Sequence, residues 1–170
     1  KNTIDHAGFR RETRGGDGAQ YARFIVKDLK PKIDQCYRTL SDKRHTAICG
    51  SSMGGLISAY MAAAWPEIFG CAGIFSIASW FAAEAFERFI MDSQSGKGQR
   101  FFIQAGTAET ICPEEADMPQ LFIDMTMKYV HMLLEKGVPC SDICLKLEAG
   151  GEHCEKMWRK YMRGFFEFFA

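Results

Sequence analysis

The sequence predicts an α/β fold, a mainly parallel sheet with helices on both faces. Three observations carry that prediction. Short apolar runs alternate with helical ones through four strands, the pattern of parallel βαβ units. Gly50-Ser51-Ser52-Met53-Gly54 stands between the first of those strands and its helix, as G-x-S-x-G. The last 17 or so residues carry a strongly amphipathic helical pattern that needs a sheet face to cover.

Residues 1–18 are polar and glycine-rich and read as loop, apart from a strand remnant around Thr3-Ile4. From residue 19, Ala22, Ile25, Val26, Leu29, Ile33, Cys36 and Tyr37 recur at steps of three and four. Pro31 must kink or interrupt that helix, because it has no N–H to donate. A charged connector, 38–44, leads into a strand at 45–49. The following helix covers 56–64 and stops at Trp65-Pro66. A second strand is expected over 70–75, then a loop with Ile77, Trp80 and Phe81, then a helix over 82–91. After a polar turn at 93–98, a third strand spans 100–105 and runs into Gly106. A helix over about 117–136 shows Leu121, Phe122, Met125, Tyr129, Met132 and Leu133 as its core stripe, with Gly137 and Pro139 as stop signals. The fourth strand ends at Glu148. The last helix begins near His153 or Cys154, with Met157, Trp158, Tyr161, Met162, Phe165, Phe168 and Phe169 facing one way.

Size and composition bound the function. A chain of 170 residues with 47% hydrophobic residues can bury a real core, and it reads as one domain. Its 21 basic and 21 acidic residues cancel, which argues against a nucleic-acid partner and against an electrostatic membrane anchor. No apolar run reaches membrane-span length, and the first residues carry no apolar signal-peptide region. The seven cysteines are scattered without a C-x-x-C, and several lie in apolar contexts. They read as free thiols in a reducing compartment, so a cytoplasmic location is expected. Cys140, Cys144, His153 and Cys154 fit no common zinc spacing, so no metal or organic cofactor is expected.

In open α/β sheets ligands sit beyond the carboxyl ends of the strands, and Ser52, Glu109 and His153 each fall just past such an end. G-x-S-x-G fits with Ser52 at its centre, which makes Ser52 the candidate nucleophile on a strained strand-to-helix turn. Glycines two residues to either side are expected to avoid clashes there. The Met53 amide, at the helix N-terminus, is placed to hold an oxyanion. A serine hydroxyl needs a base, and that base needs an orienting group. Of the four histidines, His153 is the one that a loop can deliver over this turn. His45 lies at the wrong end of its strand, His131 on the polar face of a helix, and His6 in the N-terminal loop. Glu109 is the candidate acid, giving the chain order Ser, acid, His; Glu114, Glu115 and Asp117 are rivals on the same loop. Trp80, Phe81 and Met118 are candidates for the substrate pocket, with core or lid packing as the alternative.

The run 24–34, then Tyr37-Arg38-Thr39 and Gly50-Ser51-Ser52-Met53-Gly54-Gly55-Leu56, resembles the putative esterase family of α/β-hydrolases. Pro66-Glu67-Ile68-Phe69-Gly70 and Gly151-Glu152-His153 with Trp158 are similar to its pattern as well. That family includes esterase D, feruloyl and acetyl-xylan esterases and enterochelin esterases. The resemblance implies Ser52 as nucleophile, His153 as base and Glu109 at the acid position, where the family often has Asp. It also implies further strands before residue 18, one of them followed by a loop that supplies a second oxyanion amide. The expectation is therefore an α/β-hydrolase-like domain truncated at its N-terminus.

Two functions follow. One is a serine carboxylesterase acting on a small-molecule or carbohydrate-linked ester, with a peptidase as a weaker variant of the same chemistry. The other is a non-catalytic hydrolase-like module that binds a ligand or pairs with a second copy through the open edge of the Ser52 strand.

Overall fold

Buried strands must find partners for their backbone N–H and C=O groups, and here four apolar runs supply them to one another. A computed structural model describes residues 16–112 and 114–170; the suggested strand around Thr3-Ile4, and His6, lie outside them. Among the described residues the strands are β1 (Ala47–Ser51), β2 (Cys71–Phe75), β3 (Arg100–Gly106) and β4 (Ile143–Glu148). They pair in the order β1-β2-β3-β4, each neighbour parallel to the next. The α-helices are α1 (Gly18–Phe24), α2 (Lys30–Cys36), α3 (Met53–Ala64), α4 (Ala83–Asp92), α5 (Met118–Glu135) and α6 (Glu155–Phe169).

Sequential order has a consequence for the layers. Right-handed crossovers that all step the same way along a sheet put their helices on one face. Ala59, Ala62 and Ala63 of α3, Phe86 and Ile90 of α4, and Tyr129, Val130 and Leu133 of α5 share one cluster with Ala72, Ile74, Phe101 and Ile103. The chain leaves β4 without another crossover, and α6 covers the opposite face. There Phe165 packs with Cys71, Phe75 and Phe102. Alternate strand residues thus enter opposite clusters, and β2 is buried along its whole length. The sheet is parallel with helices on both faces, as the alternation of elements implies.

The differences from the sequence reading are local. Residues 25–29 widen into a π-helical turn between α1 and α2. Lys30 N–H reaches back to Ile25 O across that turn, and Pro31 then sits in the first turn of α2, where its missing N–H costs least. β1 starts two residues later than expected because Lys43–His45 form a 3₁₀ turn capped by Asp42. Asp42 accepts from the Arg44 amide at 2.9 Å and contacts His45 Nδ1 at 2.7 Å, so His45 has a structural partner far from the carboxyl ends of the strands. α3 begins at Met53 because a single residue, Ser52, makes the turn out of β1. All seven cysteines are free, but Cys71 is the one fully buried; Cys49, on β1, the edge strand among the described residues, is exposed. Burial pushes the Cys71 thiol up to about 12. Among the described residues no helix is long and apolar enough to cross a membrane.

At the amino ends of the strands a single side chain ties three segments together. Gln99 is 1% exposed; its Nε2 donates to Ala62 O at 3.0 Å and Phe69 O at 2.8 Å, and its Oε1 accepts from Gly96 N–H at 2.7 Å. Gln99→Leu keeps the volume but leaves those backbone groups buried without this partner. It is expected to lower unfolding stability by about 1–3 kcal/mol, read from the urea midpoint at unchanged m-value.

Candidate active site

Parallel strands end together, and here their carboxyl ends bring three loops to one edge of the sheet. Ser52 leaves β1 with φ 57° and ψ −122°, a left-handed conformation that costs a non-glycine residue roughly 1–3 kcal/mol. Hydrogen bonds hold it there. Ser52 N–H donates to Phe75 O at 2.9 Å, while Ser52 O accepts from Leu56 N–H at 3.1 Å and Ala78 N–H at 3.3 Å. The turn leads straight into α3, whose first N–H groups, starting with Met53, have no carbonyl of their own helix to bind.

The glycines around Ser52 are not equivalent. A Cβ on Gly50 would stand 2.3 Å from Gly54 O, which no side chain tolerates. Among the described residues a Cβ on Gly54 would meet nothing within 4 Å. The expectation that both glycines avoid clashes is therefore corrected. The close approach is one-sided: the end of β1 runs into the first turn of α3, and Gly54 is the obstacle rather than the obstructed residue.

Glu109 and His153 are brought together by the loops after β3 and β4. Thr107 N–H donates to Glu148 O and Ala108 N–H to Gly151 O, both at 2.9 Å. Gly106 makes this contact possible, because a Cβ there would lie 2.2 Å from Gly151 O. Glu109 is fully buried. Its Oε2 is 2.8 Å from His153 Nδ1, and its Oε1 accepts from Gly106 N–H at 2.5 Å and from Ser76 Oγ at 2.7 Å. The His153 side chain is 8% exposed and lies between two aromatic rings. Phe122 is tilted against it with centroids 4.6 Å apart, and Trp158 meets it edge-on at 5.0 Å. A buried carboxylate is tolerated only when its lone pairs are used, and this one receives three donors.

The other candidates fall elsewhere. Glu114 is exposed and takes the Cys112 thiol at 3.1 Å, and Asp117 is an exposed residue just before α5. Hydrogen bonding to Cys112 holds the Glu114 carboxyl below its ordinary value. His131 is exposed and pairs loosely with Glu135 at 3.7 Å. Trp80 and Phe81 are half-buried, and Trp80 packs edge-on against Phe122 at 4.7 Å, one ring away from His153. Met118 is 1% exposed, so it is packed away from any opening. Among the described residues Ser52 Oγ and the His153 ring are not hydrogen-bonded to each other, and no three His, Cys, Asp or Glu side chains are placed to hold a metal ion.

Ser76 and Phe122 escape the sequence reading. Ser76 sits just past the carboxyl end of β2, so the rule that singles out Ser52, Glu109 and His153 reaches it when applied to all four strands. Phe122 has no such signal: in a helical stripe it reads as core.

Residues 2–167 match the family model described as "Putative esterase". The Bacillus subtilis (strain 168) protein named "Uncharacterized protein YbbA" is 27% identical over 146 residues, 86% of this chain and 57% of that protein. Three solved structures share the fold at low identity. A ferulic acid esterase superposes with TM-score 0.68 at 16% identity, covering 88% of this chain and 62% of that one. An enterochelin esterase from Shigella flexneri gives 0.70 at 21%, covering 89% and 37%. An IroE-like serine hydrolase from Shewanella oneidensis gives 0.72 at 15%, covering 99% and 54%. The chain thus spans a little over half the length of the curated relative it matches.

The asymmetry of the two glycines can be measured. Gly50→Ala is expected to cost at least about 1–3 kcal/mol, since backbone must move to accept the methyl group. Gly54→Ala is expected to be neutral or to stabilise by up to about 1 kcal/mol, since alanine is the better helix former. Thermal unfolding of the two variants beside the parent reads the difference; equal losses would contradict the one-sided contact.

Proposed function

The chain belongs to the putative esterase family, and from that premise we propose that it is a serine carboxylesterase built on one α/β-hydrolase-like domain. The observation that carries the reading is the buried Glu109–His153 pair, set on the same edge of the sheet as a serine in left-handed backbone geometry. A carboxylate cannot donate, so the proton between them belongs to His153 Nδ1. That leaves Nε2 as the ring's acceptor. In the proposed cycle Ser52 Oγ attacks the ester carbonyl carbon while Nε2 takes the hydroxyl proton. The Met53 N–H holds the oxyanion, and Nε2 returns the proton to the leaving alcohol. Water activated by the same nitrogen then hydrolyses the acyl-enzyme and restores the serine. The Ser52–His153 contact is one that forms with substrate bound, since such hydrogen bonds tighten in the Michaelis complex. Trp80, one ring from His153, and Phe81, whose ring centroid is 5.0 Å from that of Trp80, are proposed to face the acyl or alcohol group.

Two of the solved structures named above are called esterases of different compounds, ferulic acid and enterochelin, so the substrate class stays at a small-molecule or carbohydrate-linked carboxylic ester. The free thiols fit a reducing, cytoplasmic setting. A second reading, a binding or dimerising module, has one observation in its favour: among the described residues β1 is hydrogen-bonded to a strand on one side only, which offers an edge to a further strand.

A fluorophosphonate probe separates the two. The esterase reading expects covalent label on Ser52, found by peptide mass, and none in Ser52→Ala. His153→Ala is expected to match the loss in Ser52→Ala, and Glu109→Ala to fall about a hundredfold less, because it orients rather than reacts. Ester hydrolysis that survives Ser52→Ala unchanged would rule the esterase out; a chain that takes no label is the binding module.

A further inference from the structure

Trp158 Nε1 lies 2.8 Å from Ser76 Oγ, and Ser76 Oγ lies 2.7 Å from Glu109 Oε1. The direction of this chain is forced. An indole N–H can only donate, so Ser76 Oγ accepts from it and must spend its own hydrogen on the carboxylate. With Gly106 N–H also on Oε1, that oxygen is occupied twice, and Oε2 is left to take His153 Nδ1–H. Ser76 is fully buried, and its φ is 48°, a conformation that glycine adopts without strain and serine does not. Ser76 N–H is tied to Gln104 O at 2.7 Å, so the backbone reversal after β2 is fixed and aims the hydroxyl at the acid rather than along the strand. The ring that sets the hydroxyl also meets the imidazole edge-on.

We propose that Ser76 is a positioning residue, and that Trp158 and Ser76 together form a two-donor relay that holds Glu109 in the one orientation able to fix the His153 ring. The relay moves no proton during the reaction. It keeps the carboxylate's second oxygen available to Nδ1 and keeps Nε2 turned outward. The proposal rests on the esterase reading, since it acts through that reading's acid.

The test follows the rate of fluorophosphonate labelling at Ser52 by intact mass, with p-nitrophenyl acetate turnover beside it. Ser76→Ala is expected to lower both rates by roughly 10–100-fold, with the loss in kcat and KM unchanged. Ser76→Gly relieves the backbone and removes the hydroxyl, and it should lose as much as Ser76→Ala. Trp158→Phe keeps a ring against His153 and removes only the donor; a loss of roughly 3–10-fold is expected. In a Glu109→Ala background Ser76→Ala should add less than about twofold, because its path to the base is already cut. Full activity in Ser76→Gly, or an equal loss with and without Glu109, would overturn the relay. A parent chain that takes label at Ser52, with Ser76→Ala labelled equally fast, overturns the relay alone. A parent chain that takes no label overturns the esterase reading along with it.

Discussion

A fully buried carboxylate is costly to hold, and the site is built around making Glu109 tolerable. Moving a charge out of water is offset only by close, well-aimed donors. Glu109 draws its donors from its own loop through Gly106 N–H, from the end of β2 through Ser76 and from the end of β4 through His153. The contacts with Ser76 and His153 are lost if one strand end shifts relative to the others. The register of the sheet and the chemistry of the site are therefore the same constraint seen from two sides.

The sheet meets that constraint through its parallel, sequential order. Four strands running the same way deliver four exits to one edge, and the crossover helices stay on one face. This leaves the other face to α6, which is why the helix after His153 can reach back to β2. Phe165 packs with Cys71 and Phe75, while Trp158, on the same helix, touches both His153 and Ser76. α6 is anchored again where Lys160 and Tyr161 meet Glu148 at the end of β4. Those partners hold the Glu148 carboxyl below its ordinary value, Lys160 first. Core packing and site assembly thus share one helix.

Most of the fold is legible in the sequence because its signals are local. Apolar runs of strand length, helical periods and the glycines and prolines at their ends place every strand and helix to within a few residues. The shifts have local causes that periodicity does not register. Asp42 caps a 3₁₀ turn that delays β1, and the turn before Pro31 widens into a π-helix. The steric role of the glycines around Ser52 is a different case. That two glycines flank the serine is a fact of sequence; that Gly50 is crowded and Gly54 is not depends on where α3 is laid against β1.

By itself the sequence determines an alternating α/β chain, a serine on a strand-to-helix turn, and an acid and a histidine that follow it just past strand ends. These follow from spacing and from the chemistry that each residue type can do. Only the tertiary structure decides which acid meets His153, because Glu109, Glu114, Glu115 and Asp117 share one loop and differ in burial rather than in kind. The same holds for Ser76, Phe122 and Trp158, which come from three separate elements and are ordinary core or loop residues until the sheet closes around Glu109. A buried charge selects its partners by direction and distance across strands, and those are properties of the packed sheet, which no stretch of chain carries alone.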